Sequence, residues 1–171
     1  KVRNNHADIY GNAEDLIMAD VLDRTDRKIL RLLQGNGRIS NADLAEEVNI
    51  SPATCHRRLQ RLFDEGYVKG VRGMVNADKV DLGTLVLVGV VLDRSTPDSF
   101  AEFEAAVSQI SSILDCYLVA GDFDYFLKIR VRDMADFNRL HATKLITLPS
   151  VRQTRTFFTL KTVADTRPLD F

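Results

Sequence analysis

The residues best suited to chemistry lie in one short segment, Ser51-Pro52-Ala53-Thr54-Cys55-His56-Arg57-Arg58-Leu59-Gln60-Arg61-Leu62. At helical pitch Cys55, Leu59 and Leu62 share one stripe, while Ala53, His56, Arg57, Gln60 and Arg61 lie towards the other side. Small residues near a helix start let a backbone approach a duplex, and arginines neutralise phosphates or pair with base edges in the major groove. The same pattern also describes a basic, solvated face in a helix bundle. His56 could donate to a base or phosphate, or be an ordinary surface residue. Arg58 adjoins the inward stripe, where bracing the helix or a phosphate competes with reading a base.

The second group is Gly121-Asp122-Phe123-Asp124. Gly-Asp is good turn chemistry in its own right. A carboxylate held at such a turn can also pair with an α-ammonium, while backbone N–H groups meet an α-carboxylate. Cys55 and His56 are adjacent, point in different directions and cannot chelate one metal. His141 reads as a helix-face histidine. No nucleophile elbow, Gly-rich phosphate loop or metal-ligand cluster is present, so neither an enzyme nor a metal or cofactor is expected.

The elements that position the first group are punctuated clearly. Asp23 can cap a helix from about Arg24 carrying Ile29, Leu30 and Leu33, with Asn36-Gly37 ending it by positive φ. Ser40 can cap a second helix, with Asp43 reaching back to the cap. Ser51 caps the third, and Pro52 falls at its first position, where a missing N–H costs nothing. Only Asn49-Ile50 separates the second and third helices, which is the form of a helix-turn-helix. Asp64-Glu65-Gly66 stops the third helix. Residues 67–75 read as an extended wing from which Lys69 and Arg72 can reach phosphates.

The second half changes period. Thr84 to Leu92 is a nearly unbroken apolar run, as in a strand buried on both faces. A helix with Phe100, Phe103, Val107 and Ile110 follows, then strands over residues 113–119 and 124–132. Asp133 caps a helix with Met134, Phe137, Leu140, His141, Leu145 and Leu148 on its inner stripe, and residues 151–163 form a last strand. The order is βαββαβ, the ferredoxin-like split βαβ. Two helices cover one sheet face, so the other calls for a second subunit.

The expected organisation is therefore α+β. Residues 1–21 are an extension, a flexible arm or sequence irrelevant to the fold; 22–75 a winged helix-turn-helix; 76–83 a linker; and 84–171 a ferredoxin-like domain. The formal net charge of −1 argues against a nucleic-acid binder until its distribution is considered. Residues 22–72 hold ten Lys/Arg against seven Asp/Glu, a surplus of three, so the remainder carries −4. Two widely separated cysteines outside any framework point to a reducing cytoplasm. No apolar run approaches a membrane span, and the first residues lack the apolar core of a signal peptide. An enzyme remains a rival only through the second half, since such domains also serve as sensors fused to metabolic enzymes. A pure scaffold is the other rival, and the basic reader argues against it.

Three segments together resemble the Lrp/AsnC (leucine-responsive regulatory protein, feast/famine) family of bacterial and archaeal regulators. They are residues 22–30, residues 37–62, and Leu118-Val119-Ala120-Gly121-Asp122-Phe123-Asp124-Tyr125 with Thr154-Arg155-Thr156. The likeness is nearer the leucine-responsive than the asparagine-responsive members. One departure is Thr54, where many relatives have proline before the cysteine, and it bears on base preference. The resemblance implies a sequence-specific transcriptional regulator of amino-acid metabolism, cytoplasmic and nucleoid-associated. The capped helix pair, the basic outer face of its second helix and the wing point to double-stranded DNA contacted through Ser40, Asn41, Ser51, Ala53, Thr54, His56, Arg57, Arg58, Arg61 and Lys69. The resemblance also implies a RAM-type effector domain that pairs into dimers and assembles into octamers. An amino acid, leucine or another apolar one, would bind between dimers at Leu118, Val119, Gly121, Asp122, Phe123 and Asp124. Met134, Phe157, Phe158 and Thr159 align with positions that line or couple to that pocket.

Overall fold

The computed structural model describes residues 22–93 and 96–171, so the expectation for residues 1–21 lies outside the described residues. Contacts divide the chain into two units. One ends at Gly73 and also takes in Thr166–Phe171; the other spans Met74–Asp165. The last six residues thus join the first unit rather than the domain expected over residues 84–171.

The first unit is built on α1 (Arg24–Gly35), α2 (Asn41–Glu47) and α3 (Pro52–Asp64). Each begins as its cap residue dictates. Asp23 accepts from the Asp26 N–H, Ser40 from Asp43 and Ser51 from Thr54. The turn between α2 and α3 is made by Asn49 at φ 55°, a residue tolerant of the left-handed region. Ile29, Leu30, Leu44, Ala45, Val48, Cys55 and Leu62 form one core, with Leu59 and Val68 packed against it.

One expectation fails here. Asn36 ends α1 at φ −143°, and neither it nor Gly37 has positive φ. Gly37 is instead a close approach: a Cβ there would stand 2.8 Å from Val71 Cγ1. Residues 67–75, read as an extended wing, form a loop without a ladder.

The second unit opens with a 3₁₀ turn (Ala77–Val80) inside the expected linker. Its sheet holds β1 (Thr84–Leu92), β2 (Ile113–Leu118), β3 (Tyr125–Val131) and β4 (Val151–Phe158) in the order β2-β3-β1-β4, with every neighbouring pair antiparallel. The helices are α4 (Pro97–Val107), opened by a Thr96–Ser99 capping box, and α5 (Met134–Leu140), continued by a π turn at His141–Leu145. This is the ferredoxin-like arrangement. Val86, Val88, Val90, Tyr125, Leu127, Ile129 and Val131 fill the core with Phe103, Val107, Phe137 and Leu145.

The strand β1 is buried at Val86, Val88, Gly89, Val90 and Leu92 but not throughout. Leu87 is exposed between buried Val86 and Val88. The long last strand stops at Phe158, not Val163. Met134, placed on the inner stripe from sequence, is 52 % exposed because it is the first residue of α5, with the burial carried by Phe137 one turn on.

Candidate functional site

The N-terminal half of α3 presents Ala53, His56 and Arg57 to solvent. The polar residues that flank them hold the motif together. Ser51 Oγ caps α3 and lies 2.8 Å from Thr54 Oγ1. Asn41 Nδ2 donates to the Pro52 carbonyl at 3.0 Å, tying the start of α2 to the start of α3. Ser40 is committed to capping α2. Lys69 is exposed on the loop after α3.

Arg58 and Arg61 part company with Arg57. The Arg58 guanidinium donates to Asp23 Oδ2 at 2.6 Å and to Asp26 Oδ1 at 2.9 Å. Arg61 donates to Asp26 Oδ2 at 2.5 Å. Helical pitch alone sets Arg61 on the outward face, but the buried Asp26 carboxylate draws it back to α1. Hydrogen bonding to Asp23 and then to Asp26 holds the Arg58 guanidinium above its ordinary range. The Asp26 N–H and then Arg58 hold the Asp23 carboxyl below the usual carboxylate range. Asp26 was missed from sequence. The available signal was a carboxylate three residues past a capping aspartate, in an otherwise basic helix start.

In the second unit, the loop between β2 and β3 is closed by backbone bonds from Val119 N to the Asp124 carbonyl and from Asp124 N to the Val90 carbonyl, each 2.9 Å. Asp124 Oδ2 accepts from the Leu92 N–H at 2.7 Å, so one carboxylate oxygen is engaged by β1. Asp122 is exposed beside Gly121, whose φ of 144° suits only glycine. Phe123 packs against Phe126 at 5.1 Å and Phe157 at 6.3 Å, and the Arg155 guanidinium lies 5.7 Å from its ring.

The ten residues implicated in effector binding are not all on one surface. Phe123 and Phe157 share the face of the sheet away from the helices. Phe158 points to the helix side, edge-on to Phe137 at 5.3 Å. Leu118 lines a cleft of about 310 Å³ between α4 and β2, with Glu104, Cys116 and Tyr125. Met134 is exposed at the start of α5, and Thr159 is half-buried, its N–H donating to the Leu85 carbonyl. In that cleft the Tyr125 hydroxyl donates to Glu104 at 2.7 Å. Burial, then Glu104, pushes the Tyr125 phenol well above its ordinary value. His141 Nε2 lies 3.0 Å from Thr154 Oγ1, a structural pairing within the unit. Among the described residues, no cluster of His, Cys, Asp and Glu could hold a metal ion, and no helix is long and apolar enough to cross a membrane.

Residues 22–69 match the winged helix-turn-helix DNA-binding family, and residues 85–169 the Lrp/AsnC ligand binding domain. The leucine-responsive regulatory protein of Haemophilus influenzae is 46 % identical over 145 residues, covering 85 % of this chain and 87 % of that protein. The chain belongs to the Lrp/AsnC family. The leucine-responsive regulatory protein of Escherichia coli K12 is 42 % identical over 148 residues, with 86 % of this chain and 90 % of that one covered. A Neisseria meningitidis transcriptional regulator, solved as its L-Met complex, superposes with a TM-score of 0.82 at 34 % identity, over 87 % of this chain and 96 % of its own. This Lrp/AsnC chain is therefore a DNA-binding transcriptional regulator with a ligand-binding domain, and not an enzyme.

Proposed function

We propose that this Lrp/AsnC protein controls genes of amino-acid metabolism by binding a palindromic DNA site as a dimer, with an apolar amino acid setting its DNA affinity or assembly state. The observation that carries the reading is the Gly121–Asp124 loop, where an exposed carboxylate and a glycine turn lie beside an aromatic cluster on the open sheet face. Asp122 supplies an acceptor for the ligand ammonium, and backbone N–H groups of the loop meet its carboxylate. Leucine suits the apolar surroundings. Methionine does too, and the Neisseria relative was solved with L-Met.

A second copy of the chain covers the open face, where Leu87 and Phe157 remain exposed. Dimers join into an octamer, with the effector between dimers. The regulator works in the cytoplasm, associated with the nucleoid. An effector shifts such an assembly only if it binds one state better than another. Isothermal calorimetry with each of the twenty amino acids, on wild type and Asp122→Ala, tests the site. Binding of an apolar amino acid that Asp122→Ala abolishes is expected. Binding of none, or binding unchanged by the substitution, removes the loop from the sensor.

A further inference from the structure

The buried carboxylate of Asp26 has no counterpart in a helix-turn-helix held together only by apolar packing. It is 1 % exposed, three residues into α1, and it receives guanidinium groups from two residues of α3 that lie one turn apart. Both arginines keep part of their surface at the solvent boundary, 27 % for Arg58 and 36 % for Arg61. Together with Arg57 and Asp23 they line a shallow depression beside the reader surface. Arg58 has a second anchor in Asp23, and Glu65 stands 3.8 Å from Arg61. The positive charge of these two arginines is thus met by three carboxylates, while Arg57 makes no ion pair among the described residues.

We propose that Asp26 is a specificity-determining positioning residue of the reader, which holds Arg58 and Arg61 against α1 and so leaves Arg57 as the arginine of α3 that meets the duplex. The inference rests on α3 being the DNA reader. A long cation free to sample phosphates adds affinity for any sequence and steepens salt dependence, because each phosphate neutralised releases counterions. It adds nothing to discrimination, which comes from base edges. Drawing two arginines into a buried carboxylate lowers the sequence-independent part of binding while the base-reading part stays. The same bonds fix the angle of α3 on α1, which sets where Arg57 enters the groove.

The test uses a duplex selected from random sequence by the wild-type chain, and a scrambled duplex of equal composition. Affinities for both are measured across a salt series for wild type, Asp26→Asn, Arg58→Gln and Arg57→Ala, with thermal melts to verify folding. For Asp26→Asn, affinity for the scrambled duplex should rise severalfold, with a salt slope steeper by about one to two and a specificity ratio lower on the order of tenfold. A folded Asp26→Asn whose scrambled-duplex affinity and slope match or fall below wild type overturns the proposal. Should Asp26→Asn fail to fold, Arg58→Gln decides. An unchanged salt slope with a lower specificity ratio upholds the proposal, and a slope shallower by about one shows that Arg58 already contacts phosphate and overturns it. Arg57→Ala separates the two levels, because no loss on the selected duplex there overturns the reading of α3 itself.

Discussion

The Phe123 ring lies over Gly89 so closely that a Cβ on that glycine would stand 2.7 Å from the ring. Gly89 is in the middle of β1, paired with Phe126 on one side and Arg155 on the other, and both partners also pack against Phe123. A side chain missing from a central strand is what seats a residue of the candidate effector loop. Gly89→Ala should therefore overpack this point and destabilise the second unit by about 1–3 kcal/mol. It should also loosen effector binding by moving Phe123. An unchanged melting temperature, measured by circular dichroism, would contradict this seating.

The two loop aspartates should separate by substitution. Asp124→Ala removes the acceptor of the Leu92 N–H, a charged hydrogen bond at 2.7 Å, and should cost about 1.5–3 kcal/mol of stability. Asp122→Ala should melt like wild type while losing amino-acid affinity. Paired denaturation and calorimetry read both quantities, and equal stability losses for the two variants would refute the division.

Much of this architecture was legible from sequence because local chemistry and the tertiary fold agree. Asp23, Ser40 and Ser51 cap the helices they announce, and the alternation from Tyr125 to Val131 is the burial pattern of β3. What escaped was set by contacts distant in sequence. Arg61 looked outward on a helical wheel because the wheel contains no Asp26, which lies 35 residues earlier. Gly37 reads as a turn former and Gly89 falls unremarked within an apolar run, yet a side chain at either would meet Val71 or Phe123. Met134 fits the helical stripe, but a stripe does not show that the first turn overhangs the core. The docking of Thr166–Phe171 on the first unit rests on Gln34 exchanging two hydrogen bonds with Leu169, and on Arg31 bonding the Phe171 carbonyl and facing its ring. No local pattern announces such a pairing.

Acid should weaken the second unit through Asp136. Hydrogen bonds from Arg132, then Arg139, hold its carboxyl well below the usual carboxylate range. Its folded pKa lies below the unfolded value of about 3.9, so its contribution is present above about pH 4 and fades as pH falls through the acid range. Thermal melts between pH 2 and pH 7 should show a shallower acid limb for Asp136→Asn than for wild type. Parallel limbs would show that the pair with Arg132 is not formed.

The Cys116 thiol should be sluggish despite its exposed position on β2. Packing around the sulfur, then the Glu104 carboxylate, pushes it up to about 11. Since the thiolate is the nucleophile, alkylation should climb about tenfold per pH unit until near pH 11. Peptide mass spectrometry after iodoacetamide treatment follows this residue alone, and a plateau near pH 8.5 would contradict the assignment.

Arg57→Ala should weaken binding to the preferred duplex by about 1–3 kcal/mol if the side chain makes a bidentate base contact. Fluorescence anisotropy with a selected and a scrambled duplex should show the loss mainly on the selected one. Equal losses on both would assign Arg57 to a phosphate.

Regulation by an amino acid is tested most directly by titrating the full chain onto its selected duplex, by fluorescence anisotropy, with each of the twenty amino acids present in turn. At least one apolar amino acid should move the binding midpoint, by about 5–150-fold for coupling of ordinary size. The same amino acid should leave the midpoint of Asp122→Ala where it was. Midpoints that no amino acid moves, with the duplex bound normally throughout, would contradict the account.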